Sequence, residues 1–379
     1  MGHIHSMPGK PCLIFNNYAL RTNDGGPSGF LAQNLSGFSS PLYYLGANHY
    51  GNQGSVWKSR WRKVSRYERR TLRKLGLLEA GRYGPWALQG RQNFACESAA
   101  SYPWIWFHDA FNLSMCLDLI PPWQKVILQP HCPQWPSEEV ADTKKTSPEI
   151  VAWAKNAELR AFNRADVCVF PNEEAGMIYD GLLNPRTRVE YLMSGCKEMV
   201  PRHELPLDPK WIYFLYMGRR IPIKGFDIVL EAFQKAYEKD PTLRLLLAGS
   251  GDTVRSPGVI DLGHVPEPAN WLAACDYLVS ANRQSYFDLS VMEALSLGTP
   301  LIIACTGGHR KFMELDSPGV IPLTTAEPHA FTQAMLNNSR KRPANQQGTD
   351  ANRGLYRDYF SDSQYRARLD LLLSHLFAN

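Results

Sequence analysis

Short apolar, β-branched and aromatic runs alternate with longer stretches of helical period along most of this chain. In the first half the runs are Cys12 to Asn16, Leu42 to Leu45, Trp104 to Phe107, Val126 to Gln129, Val167 to Phe170 and Val189 to Leu192. After a polar, proline-containing stretch from Met199 to Lys210 the pattern restarts with Ile212 to Met217, Leu243 to Ala248, Val259 to Leu262, Tyr277 to Ser280 and Leu301 to Cys305. Such alternation predicts parallel sheets with crossover helices. One crossover helix is legible in detail: Phe226, Val229, Leu230, Phe233 and Tyr237 recur at helical spacing, with Glu231, Lys235 and Glu238 on the other face. The expectation is an α/β chain of two doubly wound domains, residues 1–204 and 205–355. A helix-like segment, Ser361 to Leu376, follows the Gln-rich stretch around Pro343 to Gly348, and residues 356–379 are expected to pack back across the first domain.

A length of 379 residues suits two domains. Apolar residues at 44% and charged residues at 20% describe an ordinary globular protein rather than a disordered one. The net charge of +5 is too mild to imply a nucleic-acid partner, and none is expected. Charge is concentrated between Lys58 and Lys74, where nine basic residues, among them Arg66, Arg69 and Arg70, stand against the single acid Glu68. Trp57, Trp61, Val64, Leu72 and Leu75 fall near one helical face of this segment. That is the pattern of an interfacial helix on an anionic membrane, and equally of a solvated face with snorkelling Arg and Lys.

Eight cysteines at positions 12, 96, 116, 132, 168, 196, 275 and 305 form no C-x-x-C pair and read as reduced, buried small hydrophobes. No apolar stretch approaches the roughly 18 residues of a membrane span, and the N-terminus lacks an apolar signal core. The expected location is cytoplasmic, with peripheral contact at the inner face of the membrane through residues 58–74. His3 and His5 are too few ligands for a metal site.

Ligands of open α/β domains gather at the carboxyl ends of the strands. The run Ile212 to Met217 leads there into Gly218-Arg219-Arg220 and Lys224-Gly225, placing two or three cations beside glycines just before a helix. An Arg fork and a Lys point charge would clamp a diphosphate without a metal. The bland reading is a solvated turn, although cations there oppose the helix dipole.

The run Tyr277 to Ser280 leads into Asn282-Arg283-Gln284-Ser285-Tyr286-Phe287-Asp288-Leu289-Ser290 and Glu293, followed by an apolar helix and Gly298-Thr299-Pro300. Together with Gly218-Arg219 and Lys224-Gly225 this segment resembles the C-terminal domain of the family-4 type, retaining glycosyltransferases of GT-B fold, marked by Glu-x7-Glu and Gly-Thr-Pro. The resemblance implies two Rossmann-like domains facing a central cleft, acceptor-binding and nucleotide-sugar-binding in that order. It also implies that Glu293 accepts from the ribose hydroxyls; the alternative is a capping box with Ser290 as N-cap. Ser285 stands where the family's first glutamate contacts the donor sugar. Asp288 replaces a family glycine, either to cap the helix or to take over part of the lost carboxylate's role.

The same resemblance assigns donor contacts to Gly218, Gly249, Val265, Ser285, Tyr286, Phe287 and Leu289. Leu245 to Asp252 looks like the family's strand and Gly-x-Gly turn, Leu262 to Val265 like the segment whose backbone holds the base, and Thr306-Gly307-Gly308 like its Gly-Gly turn. In the first half, Gly25 and Gly26 precede a helical stretch where backbone amides can approach a phosphate, or form a plain loop. His131 ends a strand where the family often has a histidine facing the sugar. His108 is expected to be structural, with Asp109 able to orient its ring.

The expected activity is metal-independent transfer of a sugar from a nucleoside diphosphate donor to a hydroxyl of a glycan, glycolipid or small-molecule glycoside. Arg219, Lys224, His131 and Asp288 are the candidate catalytic residues, with no metal or cofactor required. Two alternatives stand beside it: a catalytically silent GT-B protein that binds a glycan or partner, and a binder of nucleic acid or anionic membrane acting through residues 58 to 74.

Overall fold

The computed structural model describes residues 12–17, 20, 26–34, 42–46, 71, 79–81, 83–96, 101–143, 146–339 and 346–378. The chain divides into two compact units. One runs to Phe170 and takes in Ile178–Tyr191 and the residues from Phe377; the other holds Pro171–Met177 and Leu192–Leu376. The main exchange therefore falls at Leu192, ahead of the polar stretch from Met199 to Lys210. The C-terminal helix, Asp362–Phe377, belongs to the second unit as far as Leu376. Its last residue, Phe377, is counted with the first, its ring 5.5 Å from that of Trp104.

The first unit is built on a six-stranded sheet of β1 (Cys12–Asn16), β2 (Leu42–Gly46), β3 (Trp104–Phe107), β4 (Lys125–Leu128), β5 (Val167–Phe170) and β6 (Arg188–Tyr191), in the order β2-β1-β3-β4-β5-β6. The second has β7 (Ile212–Met217), β8 (Leu243–Ala248), β9 (Val259–Gly263), β10 (Tyr277–Ser280), β11 (Leu301–Ala304) and β12 (Val320–Leu323), ordered β12-β11-β10-β7-β8-β9. Every pairing in both sheets is parallel. In each order the chain turns back beside the first strand of the unit, which opens a crevice at the carboxyl ends of the neighbouring strands.

Burial explains the continuous apolar runs. Ile212, Phe214 and Tyr216 of β7 join one core, and Tyr213 and Leu215 the opposite one, as a period of two requires. The helix Phe226–Lys239 follows Gly225, which takes a left-handed conformation (φ 64°) as N-cap. It buries Ile228, Val229, Ala232, Phe233 and Ala236 and stops at Asp240. In the first unit Phe15 and Phe107 of the sheet meet Phe94 of the helix Tyr83–Cys96, ring centroids 5.2 and 5.7 Å from it. Strand β12 escaped the sequence pattern because Pro322 interrupts it, which an edge strand tolerates.

Of the described cysteines, 12, 116, 168, 196, 275 and 305 are free and buried, and Cys132 is free and partly buried. No helix among the described residues is long and apolar enough to cross a membrane. The basic segment 58–74 lies outside the described residues, apart from Thr71.

Candidate functional site

Three strand-end loops of the second unit, following β7, β10 and β11, are stitched together by side chains. Lys224 ends a short 3₁₀ turn, Pro222–Lys224. Its Nζ donates to both carboxylate oxygens of Asp288, at 2.8 and 2.9 Å. Asn282 adds an Nδ2 bond of 2.7 Å to the same carboxylate. From the loop after β11, His309 Nε2 accepts from the Asp288 backbone N–H at 3.1 Å. Arg283 binds the Pro222 carbonyl at 2.6 Å and forks onto Asp227 at 2.7 and 2.6 Å, fixing the first loop to the second.

Glycines mark the close approaches. A Cβ on Gly225 would lie 1.8 Å from the Ala281 carbonyl oxygen, and one on Gly308 would lie 1.8 Å from that of Tyr286. Gly249 (φ 128°) meets the Gly218 carbonyl oxygen, 2.0 Å from where its Cβ would stand. Gly249 is thus required by its neighbouring strand loop, a role read from the sequence as ligand approach. Gly218 carries no such crowding, and its N–H donates to the Ala248 carbonyl at 3.0 Å.

Burial alone would raise the Asp288 carboxyl. The Lys224 charge, then the His309 ring and the bonds from Lys224 and Asn282, outweigh it and hold the group at about 2. His309 is pushed down to about 4, mainly by burial. Its Nε2 accepts a hydrogen bond, so the neutral ring carries its proton on Nδ1.

The sequence expectations divide here. Lys224 and Asp288 come together; Arg219, earlier in the same loop as Lys224, is exposed, with its carbonyl held by the Tyr216 hydroxyl at 2.6 Å. Arg220 does not join them: its guanidinium forks onto Asp261 and also reaches the Asp252 carbonyl at 2.6 Å. Of the cations considered for a diphosphate clamp, Arg220 is thus engaged by Asp261. Ser285, to which the resemblance assigns a donor contact, is fully buried. Its hydroxyl donates to the Thr306 carbonyl and accepts from the His309 N–H at 3.0 Å.

Tyr286 and Phe287 are buried at 5% and 6% exposure, Phe287 packing on Phe312 and Phe360, and Leu289 and Val265 pack partly buried against the same core. Phe287, Leu289 and Val265 therefore contribute to that core. Glu293 is also buried, at 8% exposure, within the helix Leu289–Leu297. The N-cap of that helix is Asp288, not Ser290, which removes the expected capping box, and the Asp288 side chain makes no capping bond.

Asn282 and His309 were missed. Both sit just past a strand end, and a histidine directly after Gly307-Gly308 was the available signal.

In the first unit Gly25 lies outside the described residues. Gly26 starts the helix Gly26–Asn34 at φ 64°, with no atom within 4 Å of an added Cβ. His108 Nδ1 and His131 Nε2 are 2.9 Å apart and their rings stack, with Phe30 of that helix 4.8 Å from His131. Asp109 instead caps the helix Ala110–Cys116, accepting from Asn112 N–H at 2.8 Å, so it does not orient the imidazole as expected. Burial pushes His131 down to about 3; burial, then the His131 charge, pushes His108 well below its usual value. Among the described residues no group of three or more His, Cys, Asp or Glu is placed to hold a metal ion.

Residues 212–339 match the family described as glycosyl transferases group 1. D-inositol 3-phosphate glycosyltransferase of Streptosporangium roseum is 27% identical over 162 residues, 37% of this chain and 37% of the relative. That of Thermomonospora curvata is 30% identical over 180 residues, 42% and 41% of the two chains. The matched region thus spans about two fifths of the length of these relatives.

Among solved structures, sucrose-phosphate synthase from Thermosynechococcus elongatus superposes with a TM-score of 0.69 at 16% identity, over 97% of this chain and 99% of its own. Anabaena HepE, solved in complex with UDP and glucose, gives 0.62 at 14% identity, over 96% and 99%. At these identities the likeness is one of fold. The chain carries a glycosyl transferases group 1 domain at residues 212–339 and has the two-unit, parallel-sheet fold of the GT-B glycosyltransferases.

Proposed function

We propose that this protein transfers a sugar from a nucleoside diphosphate sugar to a hydroxyl acceptor. The observation that carries the reading is that Arg219 and Lys224 follow β7 and Glu293 lies on the helix after the adjacent strand β10, all within the matched segment. Arg219 and Lys224 face the diphosphate and neutralise the charge that develops on it as the glycosidic bond breaks. This replaces the role a divalent cation would play. Glu293 accepts from the two ribose hydroxyls.

Attack of the acceptor hydroxyl on the face the phosphate leaves, with the phosphate taking the hydroxyl proton, retains the anomeric configuration and needs no protein base. The first unit binds the acceptor, with His131 as its candidate hydrogen-bond partner for a sugar hydroxyl and the turn at Gly26 as its candidate backbone site for a phosphate. The acceptor is a glycan, a glycolipid or a small glycoside. A cytoplasmic protein touching an anionic membrane through residues 58–74 suits the lipid-linked case. The HepE complex makes uridine donors the first to try.

Thermal unfolding with UDP, GDP, dTDP, ADP and their hexose conjugates, with and without EDTA, tests this reading. A ligand at a hundred times its dissociation constant adds about 2.7 kcal/mol, a readable shift. A selective shift that EDTA leaves intact supports the reading; none with any nucleotide removes it.

A second reading, a catalytically silent glycan- or partner-binding protein, is favoured by the burial of Ser285 and by the ion pair already made by Lys224. Nucleotide binding without transfer to any acceptor supports it.

A further inference from the structure

We propose that Asp288 is a specificity-determining residue that makes this site prefer a nucleotide still carrying its sugar over the bare nucleoside diphosphate, by competing with phosphate for Lys224. This inference rests on the nucleotide-sugar reading above.

Asp288 and Lys224 are only 17% and 18% exposed, so their pairing is not a loose surface contact. Both carboxylate oxygens are on the ammonium, which fills two of its three donor positions. A residue at a helix N-cap ordinarily turns its carboxylate back to the helix amides. Asp288 holds that position, at the head of Leu289–Leu297, and makes no such bond. The local structural role is left unfilled in favour of Lys224 and Asn282, at 2.8 and 2.7 Å.

The main chain beneath is anchored by His309, so the carboxylate is fixed by groups from three different loops. A carboxylate in this position is a phosphate mimic, and Lys224 is neutralised before any ligand arrives.

A phosphate that takes more than the one remaining donor of Lys224 must displace Asp288, which then holds only Asn282 and has acceptor capacity to spare. An ionised carboxylate accepts hydrogen bonds and donates none. It repels phosphate oxygens and accepts from sugar hydroxyls. At its β-phosphate a bare nucleoside diphosphate brings only acceptors, and one more ionisable oxygen than its sugar conjugate, so there it meets repulsion with no return. The conjugate supplies hydroxyl donors to the freed carboxylate. Ser285 cannot share this work, because its hydroxyl is buried and spent on Thr306 and His309. After transfer, the product loses those hydroxyls and Asp288 reclaims Lys224, which favours product release.

Isothermal titration of wild type and Asp288→Asn with UDP, GDP, dTDP and ADP and with the matching glucose conjugates tests the proposal. The expected result is that Asp288→Asn tightens the bare diphosphate about tenfold and changes the conjugate by less than about threefold. An unchanged ratio of the two affinities overturns it, as does equal tightening of both. Asp288→Gly, read in the same way, guards against misfolding of the first variant. Lys224→Met separates the layers: loss of all diphosphate binding there, with an unchanged ratio in both Asp288 variants, keeps Lys224 as a phosphate ligand and removes Asp288 as the selector. Absence of binding by wild type and every variant, with every probe, overturns the donor reading itself.

Discussion

The guanidinium of Arg220 forks onto the carboxylate of Asp261 with the two side chains 3% and 12% exposed. That carboxylate also accepts from the backbone N–H groups of Val254 and Gly263, at 2.8 and 3.0 Å, so it organises the turn between β8 and β9 as well. Removing one partner of such a pair strands the other without water. Asp261→Ala is expected to cost about 3–5 kcal/mol. The bond from Arg220 holds the Asp261 carboxyl far below the usual carboxylate range. A depressed acid stabilises the fold fully above its unfolded value, near pH 4, and that stability is lost as pH falls through the folded value. Urea unfolding of wild type and variant between pH 7 and 3 checks both points. A cost under about 1 kcal/mol would mean the loop relaxes around the vacated charge.

Histidine protonation adds a second slope on the acid side of the profile, beginning at higher pH than the Asp261 effect. Burial holds His131 at about 3 and His309 at about 4, and His108 well below its usual value. All three are neutral when folded, and each takes up a proton on unfolding once pH falls below about 6.5. The unfolded state then binds more protons, so stability drops as pH falls, by about 1.4 kcal/mol per unit for each histidine. His131→Asn should remove roughly one proton from the uptake measured between pH 6 and 5. An unchanged slope would place His131 in contact with solvent.

Glycine substitutions separate packing from ligand approach. Gly225→Ala drives a methyl to within 1.8 Å of the Ala281 carbonyl oxygen at a left-handed φ of 64°. A loss of at least about 2–4 kcal/mol follows from clash and strain together. Gly26 has the same φ of 64° but open space around its missing side chain. Gly26→Ala should cost only about 1–2 kcal/mol, the left-handed penalty alone. If phosphate is bound against the Gly26 backbone, the same methyl blocks it, and turnover falls far more than stability. Equal and small effects on both would make Gly26 a plain turn.

Strand positions were legible because parallel strands buried on both faces read as unbroken apolar runs. Cys12–Asn16, Trp104–Phe107, Val167–Phe170, Ile212–Met217, Leu243–Ala248 and Tyr277–Ser280 begin and end where the pattern does. Loop residues carry no period, and there the sequence showed which groups were near strand ends but not which pointed at one another. Arg219 and Arg220 are adjacent and chemically identical. Only the pairing of β8 with β9, which brings Asp261 to Arg220, distinguishes them. Gly249 was read as a donor contact and Gly307-Gly308 as a turn like the family's Gly-Gly turn. Two of the nearest atoms to them belong instead to the carbonyls of Gly218 and Ser285, which are neighbours only once the sheet has formed. Asp288 was left open between capping and sugar contact, and its N-cap position without a capping bond shows why local spacing could not decide.

Glu293 supplies the sharpest separation of core from site. It lies at 8% exposure between buried Met292 and Ala294, close enough to Cys196 that, after burial, its charge helps push that thiol up. Glu293→Gln preserves shape and one acceptor oxygen while removing the charge. If Glu293 holds two ribose hydroxyls, the variant loses charge-assisted bonds worth about 1.5–3 kcal/mol, a tenfold to hundredfold weakening of nucleotide binding. The unliganded protein should then unfold within about 1 kcal/mol of wild type, because no cavity is made. Thermal unfolding with and without the donor nucleotide reads both quantities from one sample. A variant that is destabilised on its own by several kcal/mol, yet binds nucleotide as wild type does, would assign Glu293 to the core around Cys196 and remove it from the donor site.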